Sequence, residues 1–335
     1  MGAGAESQTD ELSLEGSEGG VGEVESRVGL KYTLKQVKRD TTARIGIFVV
    51  GFVTLVAIYA SIDYYVFDYA IAEALLYHPE RDPETVRRLL PPAGFQPHPM
   101  SSASGQYGGG RIEHPLGTDH RGRDILTRMI YGTRIAISVG FMATAIGLVG
   151  GTLIGAVSGY YGGWVDDVLQ RVTETIYAIP FLVLVIAFMT AFGRDLTFAM
   201  VGVGITAIPI FNRLIRSRVV SIREEDYIEA ARAAGVKDRN IILRHIIPNS
   251  FAPVLVQATL QIGVSILIVA GLSFLGFGAQ PPTPSWGQML AESRGYMLNA
   301  TTFSLFPGTA ILITVIGFNI LGDGLQDALD PRINN

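Results

Sequence analysis

Apolar and polar residues along this chain separate into long blocks, not into the short amphipathic periods of a water-soluble fold. Apolar runs cover residues 45–67, 134–158, 172–192, 196–215, 252–277 and 304–321. As helices, each is about long enough to cross about 30 Å of hydrocarbon. The pattern predicts an all-α, polytopic membrane protein with six transmembrane helices. Between the fourth and fifth runs lies a polar, cationic island, residues 216–250. Its centre reads YIEAARAAGVKDRNIILRHIIP over residues 227–248, and this predicts a pair of short helices. Ser221 and Glu224 have capping-box spacing. Gly235 sits where a left-handed C-cap would close the first helix. Asp238 is placed to cap the second, and Pro248 to end it.

The blocks divide the chain. Residues 1–30 are rich in Gly, Ser and Glu and are expected to form a disordered acidic tail. They lack the basic start and apolar core of a signal peptide. Residues 31–67 form a lead-in and first span, 68–133 a long outer loop, 134–325 the remaining spans, and 326–335 a C-terminal tail. Lys31, Lys35, Lys38, Arg39 and Arg44 precede the first span and favour a cytoplasmic N-terminus. Six spans then place both termini and the island inside. The charges agree: the island region carries Arg213, Arg216, Arg218, Arg223, Arg232, Lys237, Arg239 and Arg244, whereas the loop between spans five and six carries Arg294 alone.

Composition narrows the function. The chain has 335 residues, 48% of them hydrophobic, and its mean hydropathy is +0.34. With 0 cysteines, it has no disulfide, thiolate metal site or cysteine nucleophile. No GxxxxGK[ST] occurs, so ATP and Mg would belong to partner subunits and this chain is expected to bind no cofactor. A net charge of −4 gives no footprint for nucleic acid. His114 and His120 lie near Asp119 and Asp124, as a metal site or a solvated loop. The solvated loop is the expectation, and no metal site is assigned.

Gly147, Gly151, Gly155 and Gly159 recur every four residues in span two and smooth one helical face. Packing inside this chain is expected, with a subunit interface as the alternative. Pro180 and Pro209 should kink spans three and four. Polar residues at membrane depth are functional candidates. Pro180, Asn212, Gln257, Gln261 and Asn319 are therefore candidates for a translocation path, although the amides could equally bind helices together. Glu174 lies near a membrane edge. Asp119, Arg123, Asp124 and Trp286 fall outside the membrane. They could dock an external protein, but a local salt-bridge network is the stronger reading for the three charges. Trp286 could simply anchor at the lipid interface.

The island resembles a known family. Glu229-Ala230-Ala231, then Gly235, then Ile247-Pro248, is similar to the EAA motif of ATP-binding-cassette importer permeases. The pair Arg244-His245 resembles the dipeptide/oligopeptide/nickel branch, the general pattern having an aliphatic residue at position 245. Four further blocks occur in family order: HPLGTDHRGRDIL at 114–126, GYYGGWVDDVLQRVTETIYAIP at 159–180, LSFLGFGAQPPTPSWGQML at 272–290 and LGDGLQDALDPR at 321–332. The resemblance implies a type I importer permease fold and the "C"-type subunit. It further implies a heterodimer with a "B"-type permease in the lipid bilayer, two cytosolic ATPases and an extracellular substrate-binding protein. Glu229, Ala230, Ala231, Arg232, Gly235, His245 and Pro248 would couple to the ATPase. Dipeptides or oligopeptides are the implied substrates, with nickel or another small nutrient as the alternative. A stand-alone secondary transporter would leave the island without a role, and a membrane enzyme would need a convergent catalytic set.

Overall fold

The computed structural model describes residues 40–83, 88–95 and 109–329. The acidic tail, residues 1–30, and the lead-in cations Lys31, Lys35, Lys38 and Arg39 lie outside these. Helices dominate, and among the described residues the sole β feature is an isolated bridge between Thr118 and Asp124. Among the described residues, five helices are long and apolar enough to cross a membrane, or six when one sharply bent pair counts as a span.

The first span, α1 (Thr41–Val66), starts where Asp40 accepts hydrogen bonds from the Thr42 and Ala43 amides. A short α2 (Ala70–Leu75) follows a reversal in which Asp68 and Tyr69 take left-handed φ values. The Asp63 carboxylate satisfies α2 by accepting from the Ile71 and Ala72 amides, and the Tyr131 hydroxyl donates to it as well. Asp63 is fully buried.

Span two is α3 (Ile125–Tyr161), 37 residues and much longer than its apolar run, because Asp124 caps it well above that run. The third span departs from expectation. Pro180 does not kink one helix; it separates α4 (Gly163–Ala178) from α5 (Phe181–Phe192), which meet at 91°. Pro180 has no N–H to donate, and its fixed φ suits the first turn of a new helix. Pro209, by contrast, lies inside the unbroken span four, α6 (Leu196–Arg223).

The island forms α7 (Asp226–Ala233) and α8 (Asp238–Ile241). The path then runs through a wide π turn (Ile242–Ile246) and a short α9 (Ile247–Asn249) into span five, α10 (Phe251–Phe274). Beyond α10, α11 (Trp286–Ser293) precedes the last span, α12 (Thr301–Leu329). That helix runs past position 325, into what was expected to be tail.

The glycine stripe organises the bundle, and it serves packing inside the chain. A Cβ on Gly151 would lie 2.4 Å from the Phe211 Cβ and 2.7 Å from the Ile208 carbonyl. On Gly147, Gly155 and Gly159 it would meet Ala207, Asn212 and Val219 at 2.5 to 2.9 Å. Bare backbone on α3 thus lets α6 approach over about three turns, gaining dispersion contacts that lipid cannot replace. Gly271 on α10 has nothing within 4 Å of such a Cβ. Gly151→Val is therefore expected to lower the thermal unfolding midpoint of the detergent-solubilised protein, at a cost of about 1–3 kcal/mol for overpacking. Gly271→Ala is expected to leave it unchanged in the same assay.

Candidate functional site

The island folds as a hairpin whose base is cast from the spans. Ile228, Ile241, Ile242 and Ile246 are buried against Ala156 and Tyr160 of α3, Ile215 and Val219 of α6, and Val254 of α10. The remaining face is exposed and smooth: Glu229, Ala230, Ala233 and Ala234 look outward, with Ala231 half-buried. Asp226 and Glu229 lie in the first turn of α7 and Arg232 in its last, the charge order that the helix dipole favours.

Gly235 closes α7 as expected, with φ +77°. Its amide donates to the Arg232 carbonyl at 2.9 Å, and the Val236 amide reaches the Ala231 carbonyl at 3.1 Å. Those two bonds make a Schellman motif. Three other local expectations fail. Ser221 lies inside α6, so Ser221 and Glu224 form no capping box, and α7 begins after Glu225 without a side-chain cap. Asp238 does not cap α8; its carboxylate instead accepts the Tyr160 hydroxyl at 2.6 Å. Pro248 does not end the second helix. The missing N–H is absorbed by the π turn before it, and the buried Ser250 donates amide and hydroxyl to the Ile246 carbonyl at 3.0 and 2.9 Å. The second arm therefore continues into span five almost without interruption.

Other coupling candidates spread around this hairpin. Arg232 turns inward, its guanidinium 4.9 Å from the Tyr160 ring centroid. His245 is half-buried, and its carbonyl accepts from Asn249 Nδ2 at 2.6 Å. Arg244 and Pro248 are exposed.

The five path candidates are not brought together. Asn212 is fully buried and serves as glue: its amide donates to Gln170 Oε1 at 2.9 Å and Thr173 Oγ1 at 3.2 Å, joining α6 to α4. Nearby, Arg216 Nε donates to Asp166 Oδ1 at 2.7 Å across the same pair of helices. Gln257 lines an open cleft of about 670 Å³ with Arg218, Asn249 and Gln326. Gln261 is buried in the bundle, while Asn319 and Pro180 are exposed on other surfaces. Glu174 is exposed and faces Arg171 at 3.9 Å.

Outside the spans, the salt-bridge network expected of Asp119, Arg123 and Asp124 is present, but it is buried and not set in the solvated loop expected around His114 and His120. Asp119, Arg123, Asp124 and Arg128 are at most 4% exposed. Asp119 Oδ2 accepts from Arg123 Nε at 2.7 Å, and Arg123 Nη2 donates to Glu292 Oε2 at 2.9 Å. Arg128 lies 3.7 Å from Asp119 and 3.5 Å from Glu292. His114 pairs with Asp124 at 2.9 Å, and Asp124 also accepts from the Thr127 amide. Trp286 is no lipid anchor: it is buried, and its indole N–H donates to the Met129 carbonyl at 3.0 Å.

Asp119, His120 and Glu292 do approach one another within 4.8 Å. Both Asp119 oxygens are already committed, to Arg123 and to the Arg121 and Arg123 amides. Two guanidiniums beside the cluster oppose a divalent cation electrostatically. Burial holds the His120 imidazole below its usual pKa, so neutral histidine adds no charge to this balance.

Sequence reasoning missed Asp63, Tyr160, Gln170 and Glu292. Asp63 left a signal, a lone carboxylate within the first apolar run. Glu292 left none, because its hydrogen-bond partner Arg123 lies 169 residues away.

Comparison with known proteins identifies this bundle of apolar helices with its polar hairpin. The chain belongs to the family of binding-protein-dependent transport system inner membrane components, whose model matches residues 151–335. It is 47% identical over 235 residues to the dipeptide transport system permease protein DppC of Alkalihalophilus pseudofirmus, covering 70% of this chain and 77% of that protein. It is 43% identical over 222 residues to the glutathione transport system permease protein GsiD of Pectobacterium atrosepticum, covering 66% and 74%. A permease chain of the MetNI methionine ABC transporter, in an inward-facing conformation, superposes with TM-score 0.51 at 22% identity over 62% of this chain and 98% of its own, which establishes a shared fold. The protein is thus a multi-pass membrane permease subunit of an ATP-binding-cassette importer. It is not an enzyme; separate subunits hydrolyse ATP, and the permease works with ATPase and substrate-binding partners.

The ion network makes a quantitative demand. Glu292→Ala would leave Arg123 and Arg128 sharing one buried carboxylate. Breaking a buried ion network this way is expected to cost about 3–5 kcal/mol. Thermal unfolding in detergent reads that loss, and an unchanged midpoint would show that the guanidiniums find water instead.

Proposed function

We propose that this chain is the "C"-type permease of a small-peptide importer. It pairs with a related "B"-type permease and couples through the 216–250 hairpin to two cytosolic ATPases, which bind ATP and Mg. An extracellular binding protein delivers substrate. The observation that carries this reading is the hairpin: one arm extends span four, the other extends span five, and the exposed Glu229-Ala230 surface is flat enough for another protein to approach backbone closely. A push on such a hairpin displaces two spans together, as rigid-body switching between inward- and outward-facing states requires.

In this reading both termini and the hairpin are cytoplasmic and the 68–133 loop is external. Relatives named for dipeptide and glutathione transport support a short peptide as substrate. Glu229 supplies the ionic contact, Ala230 and Ala231 the clearance, and Gly235 the turn. His245 and Pro248 shape the second arm. The cleft beside Gln257 is this chain's polar lining nearest the cytosolic side, and Asp119, Arg123, Asp124 and Trp286 brace the surface that meets the binding protein.

Two measurements test this. Glu229→Lys and Gly235→Pro should abolish transport and reduce co-purification of the ATPase, with membrane insertion intact. ATPase recovered in wild-type yield with both variants would refute the coupling role. Because the chain has 0 cysteines, Ala234→Cys provides a single label site. Impermeant maleimide should leave it unlabelled in intact cells and label it in inverted vesicles; labelling from outside reverses the topology.

A further inference from the structure

Tyr160 sits at the hairpin end of α3, one residue before the helix stops. Its ring is 5% exposed, yet its hydroxyl touches both arms of the hairpin. It donates to Asp238 Oδ1 at 2.6 Å on the second arm. It accepts from Arg232 Nε at 3.4 Å on the first, while that guanidinium lies over the ring. Arg223, at the end of α6, closes the group by donating to the Gly159 and Tyr160 carbonyls at 3.3 Å each. Those carbonyls belong to the last turn of α3, which has no intrahelical partners for them.

We propose that Tyr160 is a positioning residue that locks the coupling hairpin to span two, so that a displacement of the hairpin moves α3 and, through the glycine contact, α6. The proposal rests on the coupling role given above for the hairpin. Its basis is geometric. The hairpin's covalent continuity runs to spans four and five alone, and the packed isoleucines beneath it are non-directional contacts over which it could slide or tilt. The Tyr160 hydroxyl adds a directional contact to each arm at a single point. A tyrosine is suited to this, because its ring seals the apolar base while its hydroxyl reaches the polar rim.

Tyr160→Phe removes the hydroxyl and keeps the ring. The short bond to Asp238 dominates the two that are lost, and its loss alone shifts a two-state equilibrium by about fivefold. In the assembled transporter in proteoliposomes, with binding protein and a labelled dipeptide, the ratio of uptake to ATP hydrolysed is expected to fall by about that factor. ATPase co-purification should stay at the wild-type level. A second reading is independent of substrate: with nitroxides on Tyr161→Cys and Arg239→Cys, both exposed positions, the distance distribution should broaden in the Tyr160→Phe background. Asp238→Ala should give the same defect, and the double variant no more than either single change. An unchanged ratio and an unbroadened distribution would overturn the lock, as would fully additive defects. Failure of the unmodified hairpin to bind ATPase would instead overturn the coupling assignment beneath it.

Discussion

The closeness of α3 and α6 is the constraint on which this structure depends. Lipid tails solvate leucine as well as another helix does, so spans need a reason to prefer each other. Here the reason is geometric: four glycines remove side-chain bulk along one face, and the facing helix fills the space with Ala207, Phe211, Asn212 and Val219. The buried polar knot of Gln170, Thr173 and Asn212 then ties α4 to the same pair. The hairpin packs on one end of this pair and inherits its rigidity. Were α3 and α6 held by interchangeable leucines, the hairpin would stand on a sliding base.

The two polar regions at opposite ends of the bundle solve opposite problems. The network of Asp119, Arg123, Arg128 and Glu292 is buried, so its value lies in fixing the loop before α3 to α11 in one arrangement; removing a partner is costly even where the net stabilisation is small. The hairpin instead keeps Glu229, Ala230, Ala233 and Ala234 exposed. One surface is closed against water and the other is left open.

Much of this was legible in the sequence, and the exceptions have physical causes. Apolar runs located five spanning helices because hydrocarbon thickness dictates their length, whereas the third run, 172–192, breaks at Pro180 into a pair bent by 91°. The glycine stripe was readable because helical periodicity places every fourth residue nearly in line. Gly235 was readable because a left-handed cap strongly favours glycine. The Ser221 and Asp238 caps failed because a capping spacing states what a side chain could do locally. Here α6 continues through Ser221, and Asp238 is taken by Tyr160, 78 residues away. Pro248 failed as a terminator because a π turn can absorb a missing donor. Trp286 and Glu292 were opaque because their surroundings come from distant parts of the chain.

The break at Pro180 carries a consequence for the membrane itself. At about 1.5 Å per residue, the 16 residues of α4 reach about 24 Å and the 12 of α5 about 18 Å. Their axes are nearly perpendicular, and neither alone matches about 30 Å of hydrocarbon. If one of them stood along the bilayer normal, a solitary copy would mismatch the surrounding leaflets there, and thinning, snorkelling or a neighbouring subunit would relieve the elastic penalty. Bilayer deformation would then be one force that favours assembly without any specific side-chain contact.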